Sequence, residues 1–77
     1  MVEYSREEKY SRPNNVKELL KIALHKERGA FGFYEDMLKH SFAQVPSIAD
    51  MLNKLREAEA THIKIIEKKL AEIEQQF

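Results

Sequence analysis

Hydrophobic positions recur with a helical period in two separate stretches of the chain. They follow one another at steps of three and four residues, the spacing that places side chains on one face of an α-helix. The first stripe consists of Val16, Leu20, Ala23, Glu27, Ala30, Tyr34 and Met37. The second stripe consists of Ile48, Leu52, Leu55, Glu59, His62, Ile66, Leu70, Ile73 and Phe77. The pattern predicts a first helix over about residues 15–40 and a second helix over about residues 47–75.

Both predicted helices begin at recognisable sequence signals. Asn15 is followed three residues later by Glu18, which fits a capping box, and Pro13 prevents the helix from extending backward. Ser47 with Asp50 is a second cap signal, and the preceding Pro46 lies where a helix begins. We therefore divide the chain into a polar N-terminal arm, residues 1–14, and a helical hairpin, residues 15–77.

The short connector between the two helices predicts an all-α fold, an antiparallel two-helix hairpin. Each helix carries an apolar band that is wider than the other helix can cover, because Leu19, Phe31 and Phe33 broaden the first stripe. A lone hairpin would leave much of this surface in water, so we expect it to self-associate. A homodimer that forms a four-helix bundle is the smallest assembly that would cover both apolar bands. Larger even-numbered assemblies are also compatible with the pattern.

Composition excludes several classes of protein. The 77 residues contain 13 basic and 13 acidic side chains, which argues against a nucleic-acid-binding protein, since that needs a basic face. The absence of cysteine excludes disulfides and thiolate metal sites. No window approaches the ~18 apolar residues of a membrane span, and the charged N-terminus does not resemble a signal peptide. We expect a cytoplasmic protein without nucleic-acid or membrane partners.

Three polar residues interrupt the apolar stripes: Glu27 on the first helix, and Glu59 and His62 on the second. Counted from the connector at 1.5 Å per residue, all three lie roughly 20 Å away, so an antiparallel hairpin places them level. No Lys or Arg interrupts either stripe at that height. A two-fold dimer would bring four carboxylates and two imidazoles into one layer, and divalent metal ions would oppose their charge.

The chemistry of this group favours a metal site. Carboxylate oxygen mixed with imidazole nitrogen suits iron or manganese, with zinc as a third candidate. The alternative is a hydrated polar layer in which the same residues hydrogen-bond one another. His25 and His40 lie off the stripes and are predicted to be surface residues, and the run Glu67–Lys69 is predicted to be a solvated face.

Two segments carry a resemblance to a known family. "HKERGAFGFYEDML" resembles the first helix of a rubrerythrin-type half, and "REAEATHIKII" resembles its second helix. Within the ferritin-like superfamily, whose di-iron bundles place a lone Glu on two helices and Glu-x-x-His on the other two, the chain is most similar to the single-hairpin encapsulated ferritins. In that group two chains complete a ferroxidase centre across their interface.

The resemblance implies specific roles for the residues that match its motifs. Glu27, Glu59 and His62 would be the catalytic metal ligands, and either carboxylate would bridge two irons, one per chain and two per dimer. Tyr34 matches a family tyrosine, which would reach the centre of the partner chain as a hydrogen-bond donor behind the ligands. Lys26 and Gly29 depart from the family, because they stand where acidic metal-uptake residues are frequent.

The function that the resemblance implies is a ferroxidase that oxidises Fe(II) to Fe(III) with O2 or peroxide, in iron storage or detoxification. The bundle has no enclosed cavity for a mineral, so storage implies an encapsulating shell protein and a location inside a protein nanocompartment. The end of the sequence, Gln76 and Phe77, shows no cargo-targeting peptide in support of this. Two alternatives remain: a non-catalytic assembly module with a buried polar layer, and a di-iron sensor of oxygen or peroxide.

Overall fold

Two antiparallel helices form the fold. The computed structural model describes residues 13–75, apart from the side chain of Phe42. Helix α1 spans Val16–Met37, a 3-10 turn spans Ser41–Gln44, and helix α2 spans Pro46–Gln75. Residues 13–75 contain no β-strand, so the all-α class is confirmed for this range. Residues 1–12 of the predicted arm, and Phe77 of the second stripe, lie outside the described residues.

Ion pairs between the helices establish that α1 and α2 run in opposite directions. Early positions of α1 pair with late positions of α2, and late positions with early ones. The three pairs, with their N–O distances, are Lys17–Glu74 at 3.6 Å, Arg28–Glu67 at 2.7 Å and Glu35–Arg56 at 3.8 Å. The six side chains are between 31% and 59% exposed, so each pair stabilises the fold by only about 0–1 kcal/mol. All three pairs nevertheless fit the same antiparallel alignment of α1 with α2.

The N-terminus of α1 is capped as the sequence predicted. Asn15 is extended, with φ −155°, and its side chain accepts a hydrogen bond from the Glu18 N–H at 2.8 Å. The Glu18 carboxylate reaches back and accepts from the N–H of Asn14 at 2.6 Å, one residue before the cap itself. The reciprocal bonds satisfy donors that the first turn of a helix otherwise leaves unpaired.

The connector differs from the prediction by about three residues at its first end and by one residue at its second. Helix α1 ends at Met37 rather than near His40, because the Lys39 N–H turns back to Asp36 O at 3.0 Å and starts a tighter turn. Helix α2 begins at Pro46, which has no N–H to leave unpaired in the first turn. The cap predicted at Ser47 therefore lies one residue inside the helix.

The core between the helices is thin. Among the described residues only Leu24, at 8% exposure, and Leu52, at 5%, are buried. The predicted second stripe divides around α2: Leu52 is buried, whereas Leu55 remains 38% exposed. A single hairpin thus covers only part of its own apolar band. No helix in the described part of the chain combines the length and the apolar character needed to cross a bilayer.

Candidate metal centre

The structure brings Glu27, Glu59 and His62 together in the middle of the hairpin, at the common height that the sequence predicted. Each offers one ligand atom, and these atoms lie within 4.8 Å of one another. His62 Nδ1 lies 3.3 Å from Glu27 Oε1 and 3.6 Å from Glu59 Oε1. Within residues 13–75 no second group of three acidic, histidine or cysteine side chains comes as close.

The three side chains differ in their exposure to water. Glu59 is the most enclosed at 18% side-chain exposure, Glu27 follows at 31%, and His62 is the most open at 54%. The prediction placed His62 on an apolar stripe, but in a single chain it lies at the edge of that stripe and faces solvent. The group is therefore closed on the side of the helix–helix contact and open on the side of His62.

The two carboxyls compete for a proton. Glu59 Oε1 is buried and has no hydrogen-bond donor, since two ionised carboxylates cannot donate to each other. When one of them is protonated, the hydrogen bond that joins them raises the pKa of Glu59 and lowers the pKa of Glu27. Burial adds to the rise in the pKa of Glu59, while His62 lowers the pKa of Glu27 further.

These features fit a divalent metal ion. Two ligand atoms bonded to one ion at ~2.1 Å lie no more than ~4.2 Å apart, and both histidine–carboxylate distances, 3.3 and 3.6 Å, satisfy this. A cation would also supply the partner that the buried Glu59 Oε1 lacks. Two carboxylates and one imidazole are a donor set that iron, manganese and zinc accept. Three ligand atoms from one chain leave the coordination of such an ion incomplete.

Tyr34 does not belong to this group within one chain. Its ring is half-buried and packs edge-on against Phe33, with centroids 5.5 Å apart and planes at 70°. The role predicted for Tyr34 at the centre of a partner chain remains a prediction. His25 and His40 are exposed, as expected, and neither is part of the group.

Two ion pairs beside the group were missed by the sequence reasoning. Arg28 follows Glu27 directly and binds Glu67, a residue predicted to be only solvated. Arg56 lies three residues before Glu59, pairs with Glu35, and donates to Asn53 Oδ1 at 3.1 Å. Opposite charges at complementary heights on the two predicted helices are the signal that could have found them.

The chain is an antiparallel helical hairpin that holds two carboxylates and an imidazole between its helices. These features define the class of protein as a ferritin-like hairpin with a candidate metal centre. The rubrerythrin family model matches residues 18–77, most of the chain, and the chain therefore belongs to the rubrerythrin family. No curated protein and no solved structure matches the chain significantly. Rubrerythrins typically bind iron, which agrees with the donor set found here and indicates a di-iron protein of the ferritin-like superfamily.

Proposed function

We propose that this protein is a ferroxidase, which oxidises Fe(II) to Fe(III) with O2 or peroxide in iron storage or detoxification. The observation that carries the proposal is the group of Glu27, Glu59 and His62 within 4.8 Å, with the buried Glu59 Oε1 lacking a donor, in a chain of the rubrerythrin family. Each chain would hold one iron, and two chains would complete a centre of two irons between them.

Each side chain of the group has a part in this activity. Glu27 and Glu59 supply negative charge, which favours the more highly charged Fe(III) over Fe(II). His62 supplies a nitrogen ligand at the open side, where an oxidant has access. Both carboxyls must be ionised to coordinate a metal, and the raised pKa of Glu59, caused by its hydrogen bond with Glu27 and by burial, should therefore weaken iron binding as the pH falls. Two Fe(II) ions together give up two electrons, which with two protons reduce O2 to hydrogen peroxide.

The first test is an anaerobic titration of the metal-stripped protein with Fe(II), followed by exposure to air. We expect about one tightly bound iron per chain, which is oxidised within seconds to minutes. Glu59→Gln removes a ligand charge without changing the shape and should abolish tight binding. Glu57→Gln is the matched control, since Glu57 is exposed on the same helix and does not belong to the group. Absence of tight iron, manganese or zinc binding would disprove the proposal, and binding without oxidation would favour the sensor.

One observation favours a second function, a non-catalytic assembly module. Without metal the three residues already interact, with His62 Nδ1 at 3.3 Å from Glu27 Oε1 and the two carboxyls able to share a proton. Such a polar layer could set the register of a helical assembly without any ligand. Replacing all three residues by Leu distinguishes the two functions. If the residues form only a polar layer, the variant should be more stable but less uniform in its assembly. In that case the wild-type protein should not bind iron either.

A further inference from the structure

Two arginines flank the carboxylates of the candidate metal centre, Glu27 and Glu59. Arg28 follows Glu27 directly in the sequence. Arg56 lies three residues before Glu59, a spacing at which opposite charges on a helix attract each other. Because arginine is always positively charged, an arginine bound to these carboxylates would neutralise them and take the place of a metal ion. Whether the centre is open to a metal therefore depends on where the two arginine side chains point.

Arg56 is held on the side away from Glu59. Its guanidinium donates to Asn53 Oδ1 at 3.1 Å, three residues toward the N-terminus of α2, whereas Glu59 lies three residues toward the C-terminus. Asn53 is itself fixed, because its side-chain N–H donates to Ala49 O at 3.0 Å and leaves its oxygen for Arg56. Glu35 of α1 adds an ion pair at 3.8 Å. Both acceptors of Arg56 thus lie outside the metal centre.

Arg28 is held in a similar way at the other end of the centre. Its guanidinium donates to Glu67 Oε2 at 2.7 Å, and Glu67 lies five residues beyond His62 on α2. The contacts of Arg56 lie on the side of the connector, so the two arginines are held on either side of the centre along the hairpin. Between them Glu59 Oε1 is buried and accepts no hydrogen bond, although Arg56 is less than one helical turn away.

The acceptors of the arginines have a more specific effect than the stability they add. Both ion pairs are in contact with water, and pairs of this kind contribute little to stability. We propose, on the basis of the proposed function, that these acceptors are positioning residues, which hold the guanidinium groups off the carboxylates and thereby keep the centre open to a divalent metal ion. The acceptors are Asn53 and Glu35 for Arg56, and Glu67 for Arg28.

Loss of both acceptors of Arg56 should weaken metal binding. The double variant Glu35→Gln/Asn53→Ala releases the guanidinium, which can then bind Glu59 on the same helix. A metal ion binds only those molecules in which Glu59 is free, so the apparent affinity falls in proportion to their fraction. If Arg56 occupies Glu59 in about 70–90% of the molecules, the affinity falls by about 3- to 10-fold.

The test is a series of Mn(II) titrations of the full, metal-stripped chain, followed by electron paramagnetic resonance at one protein concentration. Mn(II) accepts the same ligands as Fe(II) and is stable in air. Glu35→Gln/Asn53→Ala should bind Mn(II) about 3- to 10-fold more weakly than the wild type. Arg56→Gln breaks the same contacts but removes the competitor, so it should bind Mn(II) at least as tightly as the wild type. Adding Arg56→Gln to the double variant should restore the affinity.

Two further comparisons separate release of an arginine from simple loss of charge. Glu57→Gln is the matched control, since Glu57 is exposed two residues from Glu59 and is not the partner of either arginine. It should bind Mn(II) as the wild type does. At the other end of the centre, Glu67→Gln should weaken Mn(II) binding, and Glu67→Gln/Arg28→Gln should restore it. Circular dichroism verifies that each variant remains helical.

Three results would overturn the inference and leave the proposed function intact. Arg56→Gln that binds Mn(II) as weakly as Glu35→Gln/Asn53→Ala would show that these contacts act only by holding the helices together. Equal losses in Glu57→Gln and in the double variant would show that only the negative charge matters. Wild-type affinity in the double variant would show that Arg56 does not compete. A wild-type chain that binds neither Mn(II) nor anaerobic Fe(II) would instead remove the proposed function, and the inference with it.

Discussion

At Glu59 the fold buries a carboxylate oxygen that accepts no hydrogen bond. An isostere that carries its own donor should therefore stabilise the metal-free protein. In Glu59→Gln the amide N–H can donate to the Glu27 carboxylate, which replaces a repulsive contact with a hydrogen bond. A hydrogen bond of this kind contributes about 1 kcal/mol, and in a chain of this size that raises the melting temperature by about 4–8 °C.

Thermal unfolding followed at 222 nm in EDTA, and again with Mn(II), measures this effect. Mn(II) should raise the melting temperature of the wild type but not that of Glu59→Gln. The wild type should therefore be the less stable protein in EDTA and the more stable one in Mn(II). Glu57→Gln, the exposed counterpart, should match the wild type in both conditions. A Glu59→Gln protein that is less stable than the wild type in EDTA would show that the ionised carboxylate stabilises the hairpin by itself.

The glycines of helix α1 allow a prediction for that element. A Cβ added at Gly29 or Gly32 would meet no atom within 4 Å, so nothing in the described chain requires a glycine at either position. Glycine in a helix interior is about 1 kcal/mol less favourable than alanine. Gly29→Ala should therefore raise the melting temperature by about 4–8 °C, measured at one protein concentration with the assembly state recorded beside it. A lower melting temperature with weaker assembly would instead show that a neighbouring copy approaches α1 closely at Gly29.

Much of the secondary structure follows from the sequence, whereas the faces that the two helices turn toward each other do not. Spacing and the Asn15 cap predict α1, and a fixed rise per residue predicts that Glu27 meets Glu59 and His62. The positions of the α2 stripe alternate across a band about 80° wide, since steps of three and four residues turn by about 300° and 400°. Periodicity alone does not show that Leu52 of this stripe is buried, whereas Leu55 is 38% exposed and the His62 side chain 54% exposed. That distinction depends on how the two helices rotate against each other.

The individual ion pairs depend on the same rotation of the two helices, so opposite charges at complementary heights suggest them without fixing the partners. A pair such as Arg28–Glu67 depends on both the register and the facing of two helices, and each residue alone reads as an ordinary surface charge. Because such exposed pairs contribute little free energy, selection for stability leaves no strong pattern of them in one sequence. The group of Glu27, Glu59 and His62 differs, since burying a carboxylate within an apolar stripe is costly unless an opposite charge or a hydrogen bond compensates it.

At the scale of the whole molecule, we expect folding to depend on association. With Leu24 and Leu52 as the buried residues of the described range, one hairpin removes too little apolar surface from water to offset the entropy of ordering two long helices. We therefore expect contact between copies to supply most of the stability, so the helicity of the metal-free protein should fall when it is diluted.

Circular dichroism at 222 nm on a dilution series in EDTA measures this dependence, and the same series with Mn(II) should keep its helicity to lower protein concentration. The transition in sedimentation should coincide with the transition in helicity, since one contact accounts for both. Leu55→Lys should lose helicity at a higher concentration than the control Thr61→Lys, because Leu55 belongs to the apolar stripe of α2 whereas Thr61 does not. Helicity that is constant across the series, in a protein that sediments as a monomer, would show that one hairpin is stable alone and that its exposed hydrophobic face needs no partner to fold.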